Sequence, residues 1–177
     1  QPLYAGHRIF KGKKPIPGLP ATFAGEDESM TLEIDAVDKT AGVKLILSYS
    51  IFADSDAIVR SVRFENISDK TIKLNKIMSV CMDMDDEEYK LLTLHGSWAR
   101  ERHMEYRDIG HGVQGISSVR GESSHQENPF MALVQSRADQ EHGQVYGFNF
   151  VYSGNFTAQV EKNQFDSLRL VMGINPK

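Results

Sequence analysis

A two-residue alternation of apolar and polar side chains runs through most of this chain and limits its fold more than any other feature. The alternation is clear at residues 31–36, 43–51, 146–152, 156–160 and 168–174. Successive side chains of a β-strand point to opposite faces, so this period indicates strands with one buried and one solvated face. No long segment shows the 3.6-residue period of an amphipathic helix. We therefore predict an all-β fold, a large antiparallel β-sandwich of about ten or more strands.

The length and the turn signals favour one domain. A chain of 177 residues can bury a substantial single core, and no linker or repeat divides it, so we predict a single β-sandwich domain over residues 1–177. The first 25 residues contain four prolines, which exclude a central strand, and we expect them to cross the sheet surface as an extended arm. The polar residues 136–143 are typical of a hairpin loop.

Charge and cysteine content exclude several classes of function. The net charge is −4 with acidic and basic residues interleaved, which gives no electrostatic case for nucleic acid or an anionic membrane as partner. Cys81 is the only cysteine, which favours a reducing compartment such as the cytoplasm. No apolar run reaches the length of about 20 residues that a membrane-spanning helix needs. Because the chain begins without methionine, we expect it to be a piece of a longer protein.

The most informative polar segment is residues 96–103, with the sequence GSWARERH. It contains the only tryptophan, Trp98, beside Arg100, Glu101 and Arg102. Tryptophan offers a flat apolar face with one N–H donor, and arginine and glutamate offer planar hydrogen bonding. Such a group could rim a sugar pocket or form a buried, paired network. We favour the network, because buried charges persist only when paired, and we expect Trp98 to be largely buried.

A second polar segment, residues 120–130, has the sequence RGESSHQENPF. Neighbours in a strand point to opposite faces, so Ser124 and His125 would not serve there as nucleophile and base. We expect side chains of the loop at residues 123–128 to hydrogen-bond to nearby backbone. A polar ligand rim formed by His125, Gln126 and Asn128 is the alternative.

The acidic residues between 83 and 88 suggest a metal site only weakly. Calcium needs several oxygens that converge on one point, and the run lacks the glycine of an EF-hand loop. The six histidines show no close spacing typical of a zinc site. We predict a solvated turn here, and no metal or other cofactor.

Several motifs together resemble a known family. The chain is similar to the N-terminal domain of glycoside hydrolase family 36 α-galactosidases of the long bacterial type. The resemblance rests on the ordered segments GKKPIPGLP at 12–20, TLEI at 31–34, GSWARER at 96–102, RG at 120–121, SSHQ at 123–126, NPF at 128–130, VYG at 145–147 and YSGNF at 152–156.

The resemblance implies a large antiparallel β-sandwich, a supersandwich, which precedes a (β/α)8 catalytic barrel in the full-length enzyme. It implies hydrolysis of terminal α-1,6-linked galactose from substrates such as melibiose and raffinose, with retention of configuration. Retention uses two carboxyl groups about 5–5.5 Å apart, and in this family both are aspartates of the barrel. We therefore expect no catalytic residue in this chain.

The resemblance also implies tetramers, with loops of this domain near the sugar pocket of the same or a neighbouring subunit. Trp98, His125, Gln126 and Asn128 are candidates for such a rim or interface, and residues 100–102 for a structural polar network. We therefore expect a non-catalytic domain of a cytoplasmic bacterial α-galactosidase that serves assembly and pocket shaping. An autonomous carbohydrate-binding module and a purely structural oligomerisation domain are the alternatives.

Overall fold

The computed structural model describes residues 1–175, which contain twelve β-strands and no helix. All strand pairs are antiparallel, so the prediction of an all-β, sandwich-like fold with ten or more strands is confirmed. The strands are β1 (Leu3–Lys11), β2 (Ser29–Asp38), β3 (Val43–Phe52), β4 (Ser55–Asn66), β5 (Ile77–Asp85), β6 (Tyr89–Ser97), β7 (Arg100–Asp108), β8 (Gly112–Ser118), β9 (Glu127–Gln135), β10 (Val145–Asn149), β11 (Phe156–Lys162) and β12 (Ser167–Ile174).

The chain forms two compact units, one covering residues 1–74 and the other beginning at Asn75. The first unit is a single sheet with the strand order β1-β2-β3-β4. The proline-containing start of the chain therefore avoids a central position, as predicted, because β1 is an edge strand. The expectation of an extended arm is wrong for residues 3–11, which pair with β2 along their length, and no proline lies within them.

The polar face of the first unit is more enclosed than the alternation suggested. Thr31 is 1% exposed, and its hydroxyl contacts the carbonyl oxygen of Gly12 at 2.6 Å and the hydroxyl of Ser50 at 2.7 Å. On the same face, Glu33 forms an ion pair with Arg8. Buried polar groups persist when they are hydrogen-bonded, and these contacts meet that requirement.

The second unit is a two-layer sandwich. One sheet has the order β10-β9-β6-β7 and the other the order β5-β12-β11-β8. Apolar side chains from the two sheets form one core, and its largest fully buried members are Leu91, Met131, Leu133, Phe156, Val160, Leu168 and Leu170. Close packing of these residues fixes both sheets and hence the positions of the loops at their ends.

Individual elements differ from the sequence-based expectation in length and number. Strands β7 and β8 lie outside the segments in which the sequence shows the two-residue alternation. The loop at residues 136–143 does connect two paired strands, β9 and β10, as predicted. Within residues 1–175 there is no helix long and apolar enough to cross a membrane.

Candidate functional site

The β6–β7 hairpin carries Trp98 at its tip. Its turn consists of Trp98 and Ala99, and Ala99 lies in the left-handed region with a φ of 62°. The indole lies beyond the last strand pair, Ser97 with Arg100, and is 84% exposed. The prediction that Trp98 is buried is therefore wrong. A two-residue turn places its side chains past the end of the sheet, where no neighbouring strand covers them.

A β-bulge next to this turn explains the glycine of the motif. The pairing register shifts between positions 95 and 97 of β6, which leaves one additional residue in β7. Arg102 lies in that stretch with a φ of 59°. A Cβ atom at Gly96 would lie 2.0 Å from the carbonyl oxygen of Arg100, so only glycine allows the two backbones to approach this closely.

The charged residues beside Trp98 stabilise the hairpin tip locally. Glu101 Oε1 accepts a hydrogen bond from the backbone N–H of Ala99 at 3.0 Å, and Arg100 Nε donates to Ser97 Oγ at 3.4 Å. Arg100, Glu101 and Arg102 are all exposed. The expectation of a buried network is therefore wrong, because these contacts only order the turn and leave the charged groups in solvent.

The loop at residues 123–128 lies beside the hairpin. The N–H of Gly96 donates to the carbonyl oxygen of Gln126 at 3.3 Å, and Asn128 Nδ2 donates to the carbonyl oxygen of Leu94 at 3.3 Å. Within the loop, Ser124 Oγ accepts from the N–H of Gln126 at 3.2 Å. The predicted ordering by side-chain-to-backbone hydrogen bonds is thus confirmed at Ser124 and Asn128. His125 and Gln126 are exposed.

Two further hydrogen bonds join the segment at residues 121–123 to residues 153–155. The N–H of Ser123 donates to the carbonyl oxygen of Ser153 at 2.6 Å, and the N–H of Gly121 donates to Asn155 Oδ1 at 2.6 Å. We call residues 97–102, 121–128 and 153–155 the Trp98 end. The structure thus brings together candidate residues that lie about thirty positions apart in sequence. Their backbone is held by hydrogen bonds, while Trp98, His125 and Gln126 face solvent.

A cluster of polar side chains that the sequence interpretation missed lies next to the Trp98 end, on three neighbouring strands. We call it the polar cluster, and its members are Thr93 and His95 of β6, Glu105 and Arg107 of β7, and Glu127 of β9. The strand register pairs Thr93 with Glu105 and His95 with Glu127. Directly paired residues of antiparallel strands share a face, so these side chains lie together. The sequence shows that Thr93 and His95 share one face of β6, and that Glu105 and Arg107 share one face of β7. It does not show the register that brings these faces together.

Hydrogen bonds and burial act on the two carboxylates in opposite directions. Arg107 Nη2 donates to Glu105 Oε2 at 2.7 Å, and His95 Nε2 lies 3.2 Å from the same oxygen. The hydrogen bond from Arg107 lowers the pKa of Glu105. Burial raises the pKa of Glu127, and the positive charges of His95 and Arg107 only partly oppose that rise.

Of the acidic residues at 83–88, Asp86, Glu87 and Glu88 form the predicted turn between β5 and β6, whereas Asp83 and Asp85 lie at the end of β5, and the turn is only partly solvated. The Asp86 side chain is 8% exposed and pairs with Lys162 Nζ at 2.7 Å. Asp83 forms two hydrogen bonds with Arg169, at 2.7 and 2.9 Å. These residues serve as ion-pair partners between strands, and residues 1–175 contain no group of three or more histidine, cysteine, aspartate or glutamate side chains placed to hold a metal ion.

Comparison with known proteins shows one consistent relationship. The family profile of the glycosyl hydrolase family 36 N-terminal domain matches residues 1–177. Alpha-galactosidase AgaA of Geobacillus stearothermophilus is 48% identical over 174 residues, which are 98% of this chain and 24% of that enzyme. Alpha-galactosidase 1 of Pediococcus pentosaceus is 44% identical over 174 residues, again 98% of this chain and 24% of that enzyme.

The same relationship holds in three dimensions. The crystal structure of a variant of the Geobacillus stearothermophilus enzyme AgaA in complex with raffinose superposes with a TM-score of 0.96 at 47% identity. The superposition covers 99% of this chain and 25% of that protein. The chain therefore spans about a quarter of the length of the relatives that it matches.

Proposed function

The chain belongs to the glycoside hydrolase family 36 N-terminal domain family, and we propose that it serves as a non-catalytic domain of an α-galactosidase, with roles in assembly and pocket shaping. We further propose that residues 1–177 act as one domain, which is supported by a single family profile that spans both compact units. The match covers only about a quarter of the length of each relative, which supports a larger parent enzyme.

For the parent enzyme we propose retaining hydrolysis of terminal α-1,6-galactosides such as melibiose and raffinose. The names of the relatives and the raffinose complex of a similar structure support this substrate class. Retaining hydrolysis requires two carboxyl groups on either side of the scissile bond, and we assign both to the part of the parent outside this chain. A cytoplasmic location in a bacterium and a homotetrameric parent are part of the same proposal.

The exposure of Trp98 is the observation that supports a docking role most strongly. Exposed tryptophans are uncommon on free surfaces and frequent at the centres of interfaces, because the ring buries a large area at a low entropic cost. Here the indole is 84% exposed on a hairpin whose turn is fixed by hydrogen bonds. We propose that the Trp98 end contacts the catalytic part or a neighbouring subunit, and that Trp98, His125, Gln126 and Asn128 contribute to that contact.

Substitution of Trp98 in the full-length parent enzyme tests this role. We expect Trp98→Ala to lower the melting temperature of the parent, change its oligomeric state or raise KM, while kcat persists because both catalytic carboxylates lie elsewhere. The matched control is Phe165→Ala, an aromatic residue that is 78% exposed in the β11–β12 turn. Equal behaviour of the two variants would contradict a docking role for the Trp98 end.

His125→Ala tests the loop of the Trp98 end separately. We expect this variant of the parent to alter oligomeric state or KM without abolishing turnover. Unchanged assembly, stability and kinetics would show that the loop only connects β8 and β9. Complete loss of kcat with intact assembly and binding would show that the loop takes part in the chemistry.

The exposed indole also favours a second candidate function, an autonomous carbohydrate-binding module, since exposed aromatic rings can stack on sugars. Titration of galactose and raffinose into the 177-residue chain by calorimetry separates the two functions. Saturable heat that disappears in Trp98→Ala would favour the binding module. We expect no saturable heat, because a single indole without a surrounding concave platform offers little contact area. A purely structural oligomerisation domain is the remaining alternative. It predicts that no substitution in the Trp98 end changes the KM of the parent enzyme.

A further inference from the structure

The polar cluster contains two carboxylates, and only one of them forms an ion pair within the cluster. Glu105 accepts a hydrogen bond from Arg107 and lies within ion-pair distance of His95. Within residues 1–175 the carboxylate of Glu127 takes part in no hydrogen bond or ion pair, although it is partly buried and lies opposite His95 in the strand register. His103, the other residue paired with His95, is exposed.

A second polar group of the cluster is also unsatisfied. The Thr93 hydroxyl is fully buried and has no hydrogen-bond partner among the described residues. Thr93 lies directly between Glu105 on one neighbouring strand and Met131 on the other. The buried Thr93 hydroxyl and the partly buried carboxylate of Glu127 lie on one face of three strands, and neither has a hydrogen-bond partner among the described residues.

A carboxylate whose burial is only partly offset by nearby positive charge destabilises the fold that contains it. Removing such a charge leaves no other charge without its partner, whereas removing one member of a completed ion pair leaves an uncompensated charge behind and destabilises the fold. Glu127 lies next to the Trp98 end, so the protein segment that contacts the Trp98 end can also supply a partner for its carboxylate. About three quarters of the length of the relatives lies outside the part that this chain matches, and a covalently linked segment has a high effective concentration.

We propose that Glu127 is a docking residue that accepts a guanidinium or ammonium group from the catalytic part of the same polypeptide. Arg107 is already hydrogen-bonded to Glu105, which leaves the partly buried carboxylate of Glu127 as the acceptor for a further cation. The inference rests on the proposed function, because it requires a catalytic part in the parent protein. It adds the chemistry of the contact, a charge-assisted hydrogen bond beside the apolar contact of Trp98.

The proposal predicts opposite effects of one substitution in two settings. In the 177-residue chain, Glu127→Gln should leave the melting temperature unchanged or raise it, because a charge without a partner is removed. In the parent enzyme the same variant should lower the melting temperature. It should also accelerate amide exchange in β6 near position 95 by about tenfold, as expected for loss of a charge-assisted hydrogen bond. Glu127→Lys should have a larger effect in the parent, because two cations would then face each other.

Glu122→Gln is the control, since Glu122 is an exposed carboxylate in the same loop and should have no effect in either setting. An equal loss of stability in chain and parent would overturn the proposal, because Glu127 would then stabilise only this domain. No change in the parent would overturn it as well. Dissociation of the parent's subunits would overturn the assignment to the same polypeptide, and a galactose- or raffinose-dependent shift at Glu127 in the chain would identify a sugar as the occupant instead.

The outcome separates this proposal from the proposed function. If Trp98→Ala weakens the parent and Glu127→Gln does not, the docking function stands and the cation contact is wrong. If neither variant differs from its control, the docking role of the whole Trp98 end is wrong.

Discussion

At the scale of single residues, position in the fold outweighed residue type. Tryptophan is usually among the more buried residues, and its charged neighbours are consistent with a paired network around it. In the structure Trp98 occupies the turn of a two-residue hairpin, and its side chain extends past the sheet. The residue that looks most like a core residue in the sequence is therefore one of the most exposed, and we expect its contribution to the stability of this chain to be small.

We predict that Trp98→Ala changes the free energy of unfolding of the 177-residue chain by less than about 0.5 kcal/mol, the usual range for exposed positions. The emission of the native chain should be that of a water-exposed indole. Denaturant titration and fluorescence check both statements. A loss of several kcal/mol or a blue-shifted native emission would show that Trp98 is packed against the chain in solution.

Glu127 should give the stability of the chain a distinct pH dependence. Its pKa is raised in the folded state by burial, so the folded chain binds this proton more tightly than the unfolded chain. The free energy of unfolding therefore falls as the pH rises from the usual glutamate pKa, about 4.3, to the raised value. We predict that Glu127→Gln removes this fall, so that the variant and the wild type differ above that window and agree below it.

Denaturant midpoints measured on both sides of the window, with Glu122→Gln as the exposed control, decide this prediction. Parallel pH profiles of wild type and Glu127→Gln would show that the carboxylate of Glu127 is solvated in the folded chain. A profile that rises with pH in the wild type alone would indicate a cationic partner within the chain.

At the scale of elements, the β6–β7 hairpin depends on one close backbone approach. Gly96 allows β6 to pass the bulge of β7, and the hydrogen bond from Gly96 N–H to the carbonyl oxygen of Gln126 joins the hairpin to the neighbouring loop. The side chains of the turn contribute contacts, but the backbone geometry places them. A change in this geometry should therefore affect the hairpin and the loop together.

We predict that Gly96→Ala destabilises the chain by about 1–3 kcal/mol, because the added methyl group would lie 2.0 Å from the carbonyl oxygen of Arg100 and must push the strands apart. Gly110→Ala is the matched control, since a Cβ atom at Gly110 meets nothing within 4 Å. Chemical denaturation of both variants measures the difference. A Gly96→Ala variant as stable as the control would mean that the bulge adapts at no cost.

At the scale of the whole molecule, several acidic side chains of residues 1–175 serve as ion-pair partners between strands. Glu105 of the polar cluster pairs with His95 and Arg107, and around the β5–β6 turn Asp83 pairs with Arg169 and Asp86 with Lys162. This use of the acidic residues is consistent with the proposed non-catalytic role of the domain.

We predict that the 177-residue chain does not hydrolyse a chromogenic α-galactoside above the rate of a blank. The assay should include a preparation of Glu127→Gln, because a genuine activity of the polar cluster would be lost in that variant while a contaminating enzyme would not be. Turnover that survives repurification and disappears in Glu127→Gln would place chemistry within this domain.

The sequence alone determined the class of fold and the family, while tertiary pairing decided the site. The two-residue alternation of apolar and polar side chains is a local property, so most strands and the sandwich could be predicted from it. The ordered motifs indicated the family. β7 was missed because most of its residues are charged, and β8 because glycine and serine interrupt its apolar pattern. The exposure of Trp98 and the register that joins His95, Glu105 and Glu127 depend on which strands are neighbours. That information lies in long-range backbone hydrogen bonds, which no local pattern encodes.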